Sequence, residues 1–127
     1  MGFSEAISTV FSKYAVFEGR ARRSEYWYFT LFNVIVEVVL GLLLQFTQGK
    51  SGSMIFILIN AAYSLAVLIP SLAVAWRRLH DIGKPGYFYF IGLIPLIGTI
   101  LMLLWYTRDS EPGTNMYGPN PKENTLY

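Results

Sequence analysis

The chain has 127 residues, of which 54% are hydrophobic, 14% are charged and none is cysteine. Ordinary globular chains carry about 25% charged residues, so this one has too little polar surface to cover a soluble fold and reads as a single membrane domain. The missing thiols exclude disulfides, thiolate nucleophiles and cysteine metal sites. The formal net charge is only +2, with no acidic or basic tail; its placement is more informative than its size, and no nucleic-acid partner is expected.

Phe3, Ile7, Val10, Phe11, Tyr14 and Phe17 recur at spacings of three and four, with Ser4, Glu5, Ser8, Ser12 and Lys13 opposite. This predicts an amphipathic helix over 1–18, either lying in the membrane interface or docked on the protein's own helices. The opening MGFSEAIS lacks the basic region of a secretory signal, so the first hydrophobic helix is expected to be an uncleaved anchor.

A basic junction, Glu18 to Glu25, leads into an apolar stretch over 26–46, the roughly 20 residues needed to cross about 30 Å of hydrocarbon. TQGKSGS is short and polar, so a second span over 54–76 must turn straight back. Arg77 to Gly86 then reads as a charged loop, and a third apolar run covers 87–106, ahead of a turn-rich polar tail over 107–127. Pro95 and Gly98 fall inside the third run. A kinked full span is the simpler expectation, because membrane helices tolerate such residues; a re-entrant hairpin would return the tail to its starting side. The predicted fold class is thus an all-α integral membrane protein with about three transmembrane helices and an N-terminal amphipathic interfacial helix.

With three spans, Lys13, Arg20, Arg22, Arg23, Arg77, Arg78 and Lys84 share one side, against Lys50, Arg108 and Lys122 on the other. Basic residues accumulate on cytoplasmic flanks, so the N-terminus and the 77–86 loop are expected in the cytoplasm and the tail outside. Tyr26, Trp27, Tyr28, Trp76, Tyr87, Tyr89, Trp105 and Tyr106 mark the span ends as interfacial belts do.

Tyr26, Thr30, Asn33, Glu37, Gly41 and Gln45 lie on one face of the first span, and Asn60 and Ser64 on one face of the second. Glu37 falls about 13 Å from the outer end of its span, near mid-bilayer, at a depth that Asn60, Tyr63 and Ser64 also reach. Intramembrane acids often mark proton or ion pathways. The plainer alternative is a protonated or hydrogen-bonded glutamate holding a small bundle together.

Five arginines (Arg20, Arg22, Arg23, Arg77, Arg78) and Lys84 gather at one interface, with Glu25 and Asp81 as acidic partners. Such clusters attract anionic lipid heads; ordinary positive-inside anchoring is the alternative for Arg20, Arg77 and Lys84. Arg22, Arg23 and Arg78 are expected in a structured polar cluster. His80-Asp81 suggests an acid–base pair, yet neighbouring residues rarely pair this way and no nucleophile is placed beside them, so capping of the second helix is expected instead. Two ligands do not make a metal site, and no cofactor is implied.

GRARRSEYW, RRLHDIGKPGY, IPLIG and GTNMYGPNP occur in this order. Together they resemble the bacterial inner-membrane proteins of domain-of-unknown-function family 805, over about 17–121. The resemblance implies a small helical protein of the bacterial cytoplasmic membrane. Its recurrent positions map onto Gly19, Arg20, Arg23, Glu25, Trp27, Arg77, Arg78, Leu79, His80, Asp81, Gly83, Pro95, Gly98, Asn115, Gly118 and Pro119, and it brings no activity. The expected function is a non-enzymatic module binding anionic phospholipid heads or a membrane partner through Arg20, Arg22, Arg23, Glu25, Trp27, Arg77, Arg78, His80 and Asp81. The alternatives are an oligomeric channel or transporter using a polar seam of Asn33, Glu37, Asn60 and Ser64, and an interfacial lipid-modifying enzyme.

Overall fold

The computed structural model describes residues 2–122. Among them are four α-helices, α1 (Phe3–Ser12), α2 (Arg23–Thr47), α3 (Ser53–Asp81) and α4 (Ile97–Thr107), and a 3-10 helix over Gly86–Leu93. No strand is present among the described residues beyond one isolated bridge between Asn115 and Gly118. At 25 and 29 residues, α2 and α3 are the two helices long and apolar enough to cross a membrane. They form an antiparallel hairpin reversed by the Thr47–Ser53 turn, where Lys50 N–H donates to Thr47 at 2.9 Å and Ser53 N–H to Lys50 at 3.2 Å.

Both helices overrun their apolar stretches. α2 starts at Arg23, three residues before Tyr26, and α3 runs on through Asp81. Arg77, Arg78, His80 and Asp81 are therefore the last turns of a helix, where the sequence predicts a charged loop. The reason is local: Gly83 adopts a left-handed φ of 79°, Lys84 N–H closes on Leu79 at 2.9 Å and Gly83 N–H on His80 at 3.0 Å. This is a glycine-terminated helix end that satisfies the final carbonyls.

The N-terminal helix stops at Ser12, short of the expected 18. It docks on the hairpin: Ala6 and Val10 are fully buried, Val10 packs with Ala21, Phe29 and Val74, and Phe11 meets Phe29 edge-on at 5.5 Å. Beyond Lys13 the chain leaves helical geometry and lies along the end of α3, where Ala21 N–H donates to Arg77 O at 3.0 Å. One contact of this strap repairs a defect. Pro70 inside α3 has no N–H to offer the Ala66 carbonyl one turn back, and the Tyr14 hydroxyl donates to that carbonyl instead.

The third apolar run is not one helix. The 3-10 helix ends at Leu93, and α4 leaves in a new direction after a turn in which Leu96 takes φ 65° and ψ −65° and Ile97 N–H bonds Pro95 O at 2.7 Å. A Cβ on Gly98 would lie 2.2 Å from the Ile91 carbonyl oxygen, so only glycine permits the two limbs to close. Each limb is about 16 Å long, half of the roughly 30 Å hydrocarbon core. The expected kinked full span over 87–106 is replaced by a fold-back that returns the chain to the Asp81 end of α3. The tail follows: Glu111 N–H donates to the Asp81 carbonyl at 2.8 Å.

Candidate functional site

Four segments converge where α2 begins and α3 ends: the 13–22 strap, the first turn of α2, the last turns of α3 and the tail. Arg78 and Asp81 are three residues apart, hence on one helix face, and pair at 2.7 Å; Arg20 from the strap reaches the other Asp81 oxygen at 3.0 Å. The Ser110 hydroxyl donates to Asp81 Oδ2 at 2.5 Å. On the neighbouring face Arg77 pairs with Glu25 at 2.6 Å and donates through Nε to Val16 O at 3.0 Å.

Arg20 uses its whole guanidinium. Nε goes to Asp81 Oδ1, Nη1 to the carbonyls of Gly113 at 2.8 Å and Gly118 at 3.2 Å, and Nη2 to those of Asp81 at 3.1 Å and Glu111 at 2.6 Å. Five N–H donors meet five acceptors. Arg78 donates to the Tyr106 carbonyl at 3.3 Å and to the Arg108 carbonyl, besides Asp81. A buried ion pair offsets its desolvation only when such further bonds complete it. Arg77 is the partial exception, since its Nη2 is buried without an acceptor among the described residues.

Burial pushes the Asp81 carboxyl up, against the opposing pull of the Ser110 hydroxyl, Arg78 and Arg20. At the rim, the Lys122 ammonium holds exposed Asp109 below the usual carboxylate range; Arg23, half exposed, lies 3.9 Å from the same carboxylate and donates to Thr107 O at 3.3 Å. Trp27 Nε1 donates to the Tyr106 carbonyl at 2.8 Å.

His80 and Asp81 do not pair. The imidazole Nδ1 donates to Gly19 O at 2.9 Å and its ring stacks flat on Tyr117 at 3.9 Å, while Asn115 Nδ2 donates to the His80 carbonyl at 3.0 Å. The expected capping of α3 by these side chains is not what they do: His80 bonds Gly19, and Asp81 bonds Arg20, Arg78 and Ser110. Burial lowers the imidazole below its ordinary value, the bond to Gly19 opposing. The undocked state therefore binds the proton more readily, so the full contribution of neutral His80 is present above about pH 6.5 and is lost as pH falls through the folded value. Hydrogen exchange over 113–120, corrected for intrinsic rates, should speed up between about pH 7 and pH 5. His80→Phe, which keeps the stacked ring, should remove that dependence; an unchanged profile in the variant would show that another group titrates.

The structure thus brings together Arg20, Glu25, Trp27, Arg77, Arg78, His80 and Asp81, leaves Arg23 at the rim, and buries Arg22 with no ion pair among the described residues. Arg20, Arg77 and Arg78, expected at a headgroup-binding surface, are buried in internal pairs, and apart from Arg77 Nη2 their guanidinium nitrogens lie on protein acceptors. Sequence reasoning missed Ser110, Tyr117 and the carbonyls of Val16, Tyr106, Arg108, Glu111, Gly113 and Gly118; the GTNMYGPNP motif was the available signal that the tail is built to dock. No group of three His, Asp or Glu able to hold a metal occurs among the described residues.

The expected seam is also rearranged. The Tyr63 hydroxyl donates to Asn33 Oδ1, joining α2 to α3, and Asn60 Oδ1 is buried without a partner among the described residues. Ser64 is exposed. Glu37 is exposed too and lines an open groove with Thr30, Asn33, Val34 and Val38. It makes no hydrogen bond or ion pair among the described residues, so no such bond links Glu37 to Asn60, Tyr63 or Ser64.

Fold and site together define an all-helical protein with a hairpin of two membrane-length helices and a third apolar run folded back on itself, all tied at one end by buried arginine–carboxylate pairs. The chain belongs to the family described as protein of unknown function, DUF805, which matches residues 14–119. It is 40% identical over 115 residues to inner membrane protein YhaH of Escherichia coli strain K12, covering 89% of this chain and 93% of that protein. It is 38% identical over 114 residues to inner membrane protein YhaI of the same strain, covering 90% and 92%. No solved structure matches.

Proposed function

We propose that the chain is a non-enzymatic module of the bacterial inner membrane that holds anionic phospholipid heads at the rim of its arginine knot. The observation that carries this is the division of its basic groups. Arg20, Arg77 and Arg78 are spent inside, whereas Arg23, Lys84 and Arg108 surround the end of α4: Arg23 donates to Thr107 O, Arg108 follows it, and Lys84 Nζ sits 5.1 Å from the Trp105 ring. The rim is the depth at which Trp and Tyr meet lipid heads.

Orientation supports the same surface. With the third run folded back, Lys50 is alone at the far end among ten Lys and Arg, a larger asymmetry than three full spans would give. The N-terminus, the strap and the tail then share the cytoplasmic side, with α1 along the interface.

The test is native mass spectrometry of the full chain released in mild detergent from vesicles of phosphatidylglycerol and phosphatidylethanolamine. Wild type should retain phosphatidylglycerol. Combined Arg23→Gln, Lys84→Gln and Arg108→Gln should lower retention up to about a hundredfold, at about 1 kcal/mol per basic residue near the surface; Arg22→Gln should leave it unchanged. Equal retention by the triple variant defeats the proposal.

A further inference from the structure

We infer that α2 carries a self-association face centred on Glu37, and that in the membrane this face is covered by α2 of a second copy. Glu37 lies ten residues before the end of α2 at Thr47, about 15 Å along the axis, hence near mid-bilayer. It is exposed, and the other elements leave it so. α1 covers Phe29 and Phe32, the end of α4 covers Trp27, and α3 engages Asn33. The uncovered side is a groove of about 390 Å³ with Thr30, Asn33 and Glu37 along it at spacings of three and four.

Lipid tails offer no hydrogen bonds, so whatever covers a carboxyl at this depth must bring polar groups of its own. A second copy has them in register. Copies insert the same way round, so two α2 helices related by an axis along the membrane normal run parallel, with Glu37 facing its equivalent and Asn33 one turn away. The face is self-complementary. Tyr63 occupies the Asn33 carbonyl oxygen, leaving the Asn33 amide as a donor and Glu37 as its acceptor on the other copy. Gly41, one turn beyond, has open space where a Cβ would stand, so the backbones can approach closely.

The chain has no cysteine, so single-cysteine variants report contacts without background. Val34 lines the groove and is 52% exposed, whereas Leu65 on α3, within a turn of the same depth by the Asn33–Tyr63 pairing, is 72% exposed. In isolated membranes treated with copper phenanthroline, Val34→Cys should give at least about five times more disulfide dimer than Leu65→Cys, although the latter is more accessible. Adding Glu37→Leu to Val34→Cys should cut the yield at least about threefold, while Glu37→Gln, which keeps a hydrogen-bonding side chain, should retain most of it. Equal yields from the two cysteines, as random collision or a different protein on this face would give, overturn the inference. So does a Val34→Cys yield indifferent to Glu37→Leu.

Discussion

Asp81→Ala is expected to release the tail and the strap together, at a cost of about 3–5 kcal/mol, the range for leaving a buried charge unpaired. Among the described residues Asp81 is the one carboxylate shared by Arg20 and Arg78, and both guanidiniums are buried. Without it Arg20 keeps only carbonyl acceptors, among them those of Glu111, Gly113 and Gly118, and these depend on the docked tail. Residues 108–120 should become protease-sensitive and exchange rapidly, while α2 and the middle of α3, whose backbone bonds are internal, remain protected. Glu25→Ala should be milder in the tail, because its partner Arg77 holds the strap at Val16. A loss below about 1 kcal/mol on Asp81→Ala would mean that the pairs are dispensable to docking.

Gly98→Val is expected to have the second large effect, opening the fold-back of the third run. The obstacle is the Ile91 carbonyl, 2.2 Å from where a Cβ would stand, and backbone cannot step aside as a side chain can. Overpacking of this kind typically costs about 1–3 kcal/mol, and a clash with backbone falls at the upper end. The consequence should reach the knot, since closure delivers the Tyr106 and Arg108 carbonyls to Arg78. Leu96→Gly should act in the opposite sense, by about 1 kcal/mol, because a left-handed φ of 65° is costly for leucine and free for glycine. Thermal unfolding in detergent, with accessibility of a cysteine in the tail, measures both; equal signs for the two variants would contradict the hairpin geometry.

These effects concentrate where local pattern and tertiary contact disagree. The kinked span expected over 87–106 followed from apolar length alone, and nothing in an apolar run states whether its ends lie on one side or on opposite sides of a bilayer. Pro95 and Gly98 marked the break but not its angle. Likewise a helix near the start of the chain was legible from periodicity, yet its length was not. Residues 13–22 give up helical bonds for bonds to α3 and the tail, and that competition is decided by partners some 52 to 98 positions away. Glu37 shows the same limit: periodicity fixes which residues share a face, but only the packing of α2 against α3 decides that Asn33 bonds Tyr63 while Glu37 stays exposed.

The all-helical class, the α2–α3 hairpin with its short reversal and the gathering of arginines at one end could all be read from the residues, because continuous apolar length, turn composition and charge placement are local properties of the chain. Tertiary packing was needed to turn Arg20, Arg77 and Arg78 inward, to join Arg20 and Arg78 through Asp81, and to set His80 on a carbonyl of the strap. The physical reason is the chemistry of the acceptors. Most are backbone carbonyls, which every residue carries, so no side-chain pattern announces them; they become partners only once the third run has folded back and brought the tail to the end of α3.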